Sequence, residues 1–146
     1  MVKTVLWAED NKQDQFLIRA ALKEAAAPPA LKFADDGVLL LQALEQAAPD
    51  LVVLDLKMPR MGGLETLRHI RTRTQWNHLP VTVFSAGDNP DETRACRDLG
   101  VLDVVQKPVG FDLFAAAVHH ILRAHQVSEE SSAEGPSAKS PVAIVS

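Results

Sequence analysis

Five short apolar runs alternate with longer stretches of mixed character along this chain. They are Thr4–Ala8, Ala30–Ala34, Leu51–Leu54, Val81–Phe84 and Leu102–Gln106. Leu51-Val52-Val53-Leu54 is apolar without alternation, as expected of a parallel strand covered on both faces. Between the first two runs, Phe16, Leu17, Ala20, Ala21 and Leu22 recur at helical spacing, which predicts a helix from Asn11 to about Glu24. Pro28-Pro29 ends it. A turn at Asp35-Asp36-Gly37 leads into a second helix, Val38 to about Ala47, closed by Pro49-Asp50. A loop at Met58–Gly63 precedes a third, Leu64 to about Arg73. Asn89-Pro90-Asp91-Glu92 reads as an N-cap, a first-turn proline and two acids favoured by the helix dipole. That helix is expected to reach Leu99 and stop at Gly100, and a last helix runs from Phe111 to about His125.

Five strand–helix units predict an α/β doubly wound parallel sheet with right-handed crossovers. In the flavodoxin-like strand order 2-1-3-4-5, ligands bind beyond the carboxyl ends of strands one and three. The expected domain covers residues 3–125. Past Gln126 the composition turns to Ser, Glu, Ala and Pro, so residues 126–146 are expected to be a disordered tail. Its apolar end, Val142–Val145, reads as a frayed terminus.

The 146 residues suffice for one domain with a real core. An apolar share of 47% with 23% charged residues is that of a globular protein. A formal charge of −4 leaves no basic footprint, so nucleic acid is not an expected partner. No apolar stretch approaches the roughly 20 residues of a membrane span. The start Met1-Val2-Lys3 lacks the pattern of a signal peptide, and lone Cys96, read as a helix packing residue, fits a reducing cytoplasm. No G-x-x-x-x-G-K-[ST] loop supports nucleotide binding.

Chemistry gathers at the strand ends. The first run ends in Glu9-Asp10, the third in Asp55, the fourth in Ser85 and the fifth in Lys107-Pro108. Clustered carboxylates repel one another unless a cation sits among them. Oxygen-only ligands suit Mg²⁺. Asp55 can then act as a nucleophile that forms an aspartyl phosphate. Lys107 and the Ser85 hydroxyl are placed to hold the phosphoryl oxygens.

These motifs, Glu9-Asp10-Asn11, Leu54–Pro59 with Gly62-Gly63, Ser85-Ala86 and Lys107-Pro108, resemble those of a two-component response regulator receiver domain over about Lys3 to His125. The resemblance implies that Asp55 is the phosphoacceptor and that Mg²⁺ is held by Glu9, Asp10, Asp55 and the backbone carbonyl of Lys57. Ser85 corresponds to the switch hydroxyl, Ala86 to the small neighbour that admits phosphate, and Lys107 to the phosphate partner. Pro108 matches a position commonly made as a cis-proline. The implied partners are a histidine kinase or histidine phosphotransfer protein, a downstream protein, and a second copy through the fourth helix, fifth strand and fifth helix. A stand-alone receiver of the chemotaxis type is expected, and the opening Glu9–Asp14 weakly resembles receivers paired with phytochrome-type kinases. Two departures stand out. Val104 occupies the place of the usual switch aromatic, and Glu9 replaces an aspartate.

Two other classes fit parts of the pattern. A haloacid-dehalogenase-like phosphatase also uses an aspartyl nucleophile, but its motif requires an acid where this chain has Lys57, and no room is left for a cap domain. A receiver-like module that only binds protein is the other, favoured by Val104 and opposed by the intact acids and Lys107. Among the remaining residues, Trp7 is expected in the core and Trp76 partly exposed, with His119, His120 and His125 at the surface.

Overall fold

A computed structural model describes residues 2–134. Strands β1 (Thr4–Ala8), β2 (Ala30–Ala34), β3 (Leu51–Leu54), β4 (Val81–Ser85) and β5 (Asp103–Gln106) alternate with helices α1 (Lys12–Lys23), α2 (Gly37–Gln46), α3 (Gly63–Thr72), α4 (Pro90–Asp98) and α5 (Phe111–Glu134). All strands are parallel in the order β2-β1-β3-β4-β5, the flavodoxin-like arrangement expected. Register is fixed by Ala8 opposite both Ala34 and Leu54, and by Ser85 opposite Gln106. The functional positions therefore leave the sheet at nearly one level.

Alternation of side chains along each strand divides the core in two. On one face Leu6, Ala8, Val52, Leu54, Val81 and Val83 pack with Leu40 and Leu44 of α2, Leu67 and Ile70 of α3, and Cys96 of α4. On the other, Val5, Trp7, Leu51, Val53 and Phe84 meet Ile18, Ala21 and Leu22 of α1 and Phe114, Val118 and Ile121 of α5. Trp7 is fully buried with its ring edge-on to Phe84, and Phe84 in turn meets Phe114 edge-on. Such aromatic pairs add to burial about 0.5–1.5 kcal/mol each. They form a stiff floor under the carboxyl end of the sheet.

Helix ends follow the caps read from sequence. The Asn11 side chain accepts from Asp14 N, Asp36 from Leu39 N, and Asn89 from Asp91 N and Glu92 N. Gly100 ends the α4 segment at φ 77°, a left-handed conformation in which glycine is the least strained residue. Helix α5, however, runs to Glu134 rather than stopping at His125. The reason lies in the sequence: the first helix breakers after His125 are Gly135-Pro136. Helix thus replaces the irregular chain expected over 126–134, and the rest of the expected tail, with Val142–Val145, lies outside the described residues.

Three side chains depart from expectation. Trp76 is buried, because the turn Arg73–Leu79 folds the indole inward and lays the Arg73 guanidinium 4.9 Å over it. His119 is half-buried with Nε2 2.8 Å from Ala21 O, so it joins α5 to α1. His125 is buried, and of the three histidines only His120 is exposed, 3.1 Å from Asp103 Oδ2.

Candidate phosphoryl-transfer site

Main-chain hydrogen bonds carry the sheet ladder one residue beyond the strands. Glu9 N donates to Ala34 O at 2.9 Å, Asp55 N to Ala8 O at 3.1 Å, and Lys107 N to Ser85 O at 2.9 Å. Each functional side chain is thereby fixed at its root by a strand neighbour. Glu9, Asp55 and Ser85 are buried, Asp10 is exposed, and the Lys107 side chain is 8% exposed.

The Lys107 ammonium is the centre of the site. Its Nζ lies 2.7 Å from Glu9 Oε1, 2.8 Å from Asp14 Oδ2 and 2.8 Å from Asp55 Oδ2. Burial alone would push this lysine toward its neutral form. Hydrogen bonds to Asp14, Asp55 and Glu9 outweigh that effect and hold it above the ordinary lysine range. Glu9 moves oppositely: loss of hydration pushes its carboxyl up to about 7, with the Asp55 charge adding and Lys107 opposing. The Phe84 ring lies 6.0 Å from Nζ, below the ammonium.

Asp55 accepts from three donors. Its Oδ1 accepts from Ser85 Oγ and from Lys57 N, both at 3.1 Å, while Oδ2 accepts from Lys107. The Lys57 peptide therefore lies beside the carboxylate. Ala86 is exposed at the mouth of the site, and its carbonyl is 3.5 Å from Gln106 Nε2. Beside Ser85 and Gly87, the small side chain of Val104 borders a cavity of about 190 Å³.

One expectation is corrected. Among the described residues no peptide bond is cis, so Lys107-Pro108 is trans. For an X–Pro bond trans is the favoured form by about 0.5–1 kcal/mol. No cis bond is needed here to aim the lysine, because the Ser85 carbonyl fixes its backbone and three carboxylates draw its ammonium inward.

One participant was missed from sequence. Asp14, in the first turn of α1, supplies a third partner for Lys107 from outside the strand ends. Strand-end reasoning passes over it. The signal was its spacing: four residues after Asp10, with Asn11 as N-cap, it faces back over the end of β1.

Oxygens of Glu9, Asp10 and Asp55 lie within 4.8 Å of one another. This donor set is all carboxylate, hard and compact, and it fits Mg²⁺. Receiver domains generally bind Mg²⁺ at an acidic pocket of this kind.

The comparisons with known proteins agree with this geometry. Residues 5–119 match the family model of the response regulator receiver domain. The phosphorylated cyanobacterial phytochrome response regulator RcpA superposes with a TM-score of 0.81 at 28% identity, covering 88% of this chain and 96% of that one. The Mn²⁺-bound form of response regulator Rcp1 gives 0.76 at 25% identity, with 95% and 99% covered. The Regulator of RpoS of Escherichia coli (strain K12) is 39% identical over 107 residues, 73% of this chain and 31% of that protein. The chain spans less than half the length of curated relatives of this sort. A 2-1-3-4-5 parallel sheet, a strand-end aspartate under a buried lysine and a family match over most of the length lead to one assignment: the chain belongs to the response regulator receiver domain family.

Proposed function

We propose that the protein accepts a phosphoryl group on Asp55 from a phosphohistidine and passes the signal on by protein contact. The observation that carries this reading is the convergence of Lys107 Nζ and Ser85 Oγ on the two oxygens of Asp55, from three adjacent strand ends. A carboxylate oxygen of Asp55 attacks phosphorus, the P–N bond of the donor breaks, and its electron pair returns to the imidazole nitrogen. Lys107 and Ser85 turn from the carboxylate to the phosphoryl oxygens, where negative charge accumulates. The methyl side chain of Ala86 leaves the entrance open. Glu9, Asp10, Asp55 and the Lys57 carbonyl hold Mg²⁺, which when bound neutralises the carboxylates and the phosphoryl oxygens.

The donor is a histidine kinase or histidine phosphotransfer protein, of the phytochrome type. Support for that class comes from the likeness to the phytochrome response regulator RcpA over nearly all of both chains, together with the Glu9–Asp14 opening. Homodimerisation through α4, β5 and α5 completes the reading. The test is chemical. Acetyl phosphate with Mg²⁺ should add one phosphoryl mass to the intact protein, and Asp55→Asn should abolish it. Labelling retained in the variant would move the acceptor elsewhere. Failure of the wild type to label would favour the module that only binds protein.

A further inference from the structure

Lys107 Nζ donates to Asp14 Oδ2 and to Asp55 Oδ2, both at 2.8 Å, and pairs by charge with Glu9 Oε1 at 2.7 Å, so three carboxylates surround it. The N–H now on Asp55 can turn to a phosphoryl oxygen bound there, whereas the N–H on Asp14 becomes available only if Asp14 yields it. Two of the three have other duties. Glu9 and Asp55 belong to the cluster suited to a cation, and Asp55 becomes an acyl phosphate with its own charge lost. Asp14 belongs to neither group. It stands on α1, its backbone N–H is held by the Asn11 side chain, and its carboxylate is 22% exposed. Its charge stands in the first turn of a helix, where the dipole favours an anion.

We propose that Asp14 is a positioning residue that withholds Lys107 from the phosphoryl group and thereby limits how tightly, and for how long, the site keeps it. The inference rests on the reading of Asp55 as phosphoacceptor. Two effects act together. Asp14 keeps one of three N–H bonds of Lys107 turned toward α1, and it adds a fixed negative charge beside a site that must admit an anion. Both weaken the hold on a phosphoryl group, whereas the same charge favours a cation nearby. Tuning is thus built into an ion pair that is separate from the metal cluster and the acceptor.

An ordinary structural ion pair makes a different prediction, and the full-length chain can separate them. Asp14→Asn keeps an oxygen acceptor for Lys107 while removing the charge. Beryllofluoride, in saturating Mg²⁺, should bind this variant about tenfold more tightly, as expected for one charge removed from a partly solvated site. Mg²⁺ alone should bind equally or more weakly, and the acyl phosphate formed with acetyl phosphate should decay more slowly. Asp14→Glu should restore the wild-type beryllofluoride affinity. A structural ion pair alone would weaken both ligands together and lower the melting temperature. Beryllofluoride affinity unchanged or weakened in Asp14→Asn overturns the proposal. If the wild type is labelled and the variant matches it, this inference alone fails. If the wild type takes neither label nor beryllofluoride, the reading of Asp55 fails with it.

Discussion

Ser85 Oγ donates to Asp55 Oδ1 across 3.1 Å, so the residue at the end of β4 is held by the residue it is proposed to desert on phosphorylation. Gly87 N lies 3.4 Å from the same hydroxyl, and Asn89, two residues on, caps α4. A turn of Ser85 toward a phosphoryl oxygen therefore pulls on the loop that positions α4. Val104 provides no ring to swing between buried and exposed positions. The response is then expected in the loop itself. Hydrogen exchange with and without beryllofluoride should change most over residues 85–95, and Ser85→Ala should remove that change. Exchange altered only around Asp55 would contradict the mechanism.

The ammonium of Lys107 makes the stability of the site testable without any phosphodonor. Lys107→Met leaves Glu9 and Asp55 buried together with no cation, and Asp14 beside them. Breaking one partner out of a buried pair costs about 3–5 kcal/mol. Thermal melts in chelator should therefore fall by roughly 10 °C for a domain of this size. Excess Mg²⁺ should return part of the loss in the variant and less in the wild type. An equal melting temperature for the two proteins in chelator would mean that the carboxylates relax by taking up protons or water instead.

Most of the fold and of the site was legible from local chemistry. Strand limits followed from Pro28-Pro29 and Pro49-Asp50, and the helix starts from Asn11, Asp36-Gly37 and Asn89, because breakers and caps act within a few residues. The strand ends placed Glu9, Asp55, Ser85 and Lys107 together because parallel register leaves them little freedom. What escaped depends on tertiary geometry. Asp14 reaches Lys107 across 93 positions in sequence, which no local pattern encodes. The burial of Trp76 is decided by how the Arg73–Leu79 turn folds back. Helix α5 is longer than its composition suggests because no breaker interrupts it before Gly135.

Acid should unfold the protein partly through two aspartates that are not partners of Lys107, Asp36 and Asp50. The Arg60 guanidinium, 2.7 Å away, holds the Asp36 carboxyl below its ordinary range, and Leu39 N adds to this. For Asp50, burial works the other way but is outweighed by hydrogen bonds from Lys3 N and Thr4 N. Both groups have a folded pKa beneath the unfolded one. Their stabilisation is therefore fully present above the usual aspartate range near pH 4 and is lost as the pH falls through the lowered values. Urea midpoints should drop below about pH 4. Asp36→Asn and Asp50→Asn should each lower the neutral-pH midpoint and flatten the acid limb. An acid limb as steep in both variants as in the wild type would assign the effect to other carboxylates.

Gly37 makes the last case, because it ties the loop after Asp55 to α2. Its N–H donates to Met61 O at 3.1 Å, and Arg60, at φ 62°, reaches Asp36 from the same loop. A Cβ on residue 37 would collide with Thr66 Oγ1 and come within 2.8 Å of Met61 O. Overpacking of this kind typically costs 1–3 kcal/mol. Gly37→Ala should therefore destabilise the domain by about 2 kcal/mol. Thr66→Ala in the same chain should return part of it, since the hydroxyl is the nearer obstacle and its own hydrogen bond to Gly62 O is worth only about 1 kcal/mol. Because the strained loop also carries Lys57, labelling of Asp55 by acetyl phosphate should slow in Gly37→Ala and recover in the double variant. Denaturant melts and labelling rates measured on all four combinations decide it. Additive effects of the two substitutions would show that Gly37 and Thr66 do not meet as described.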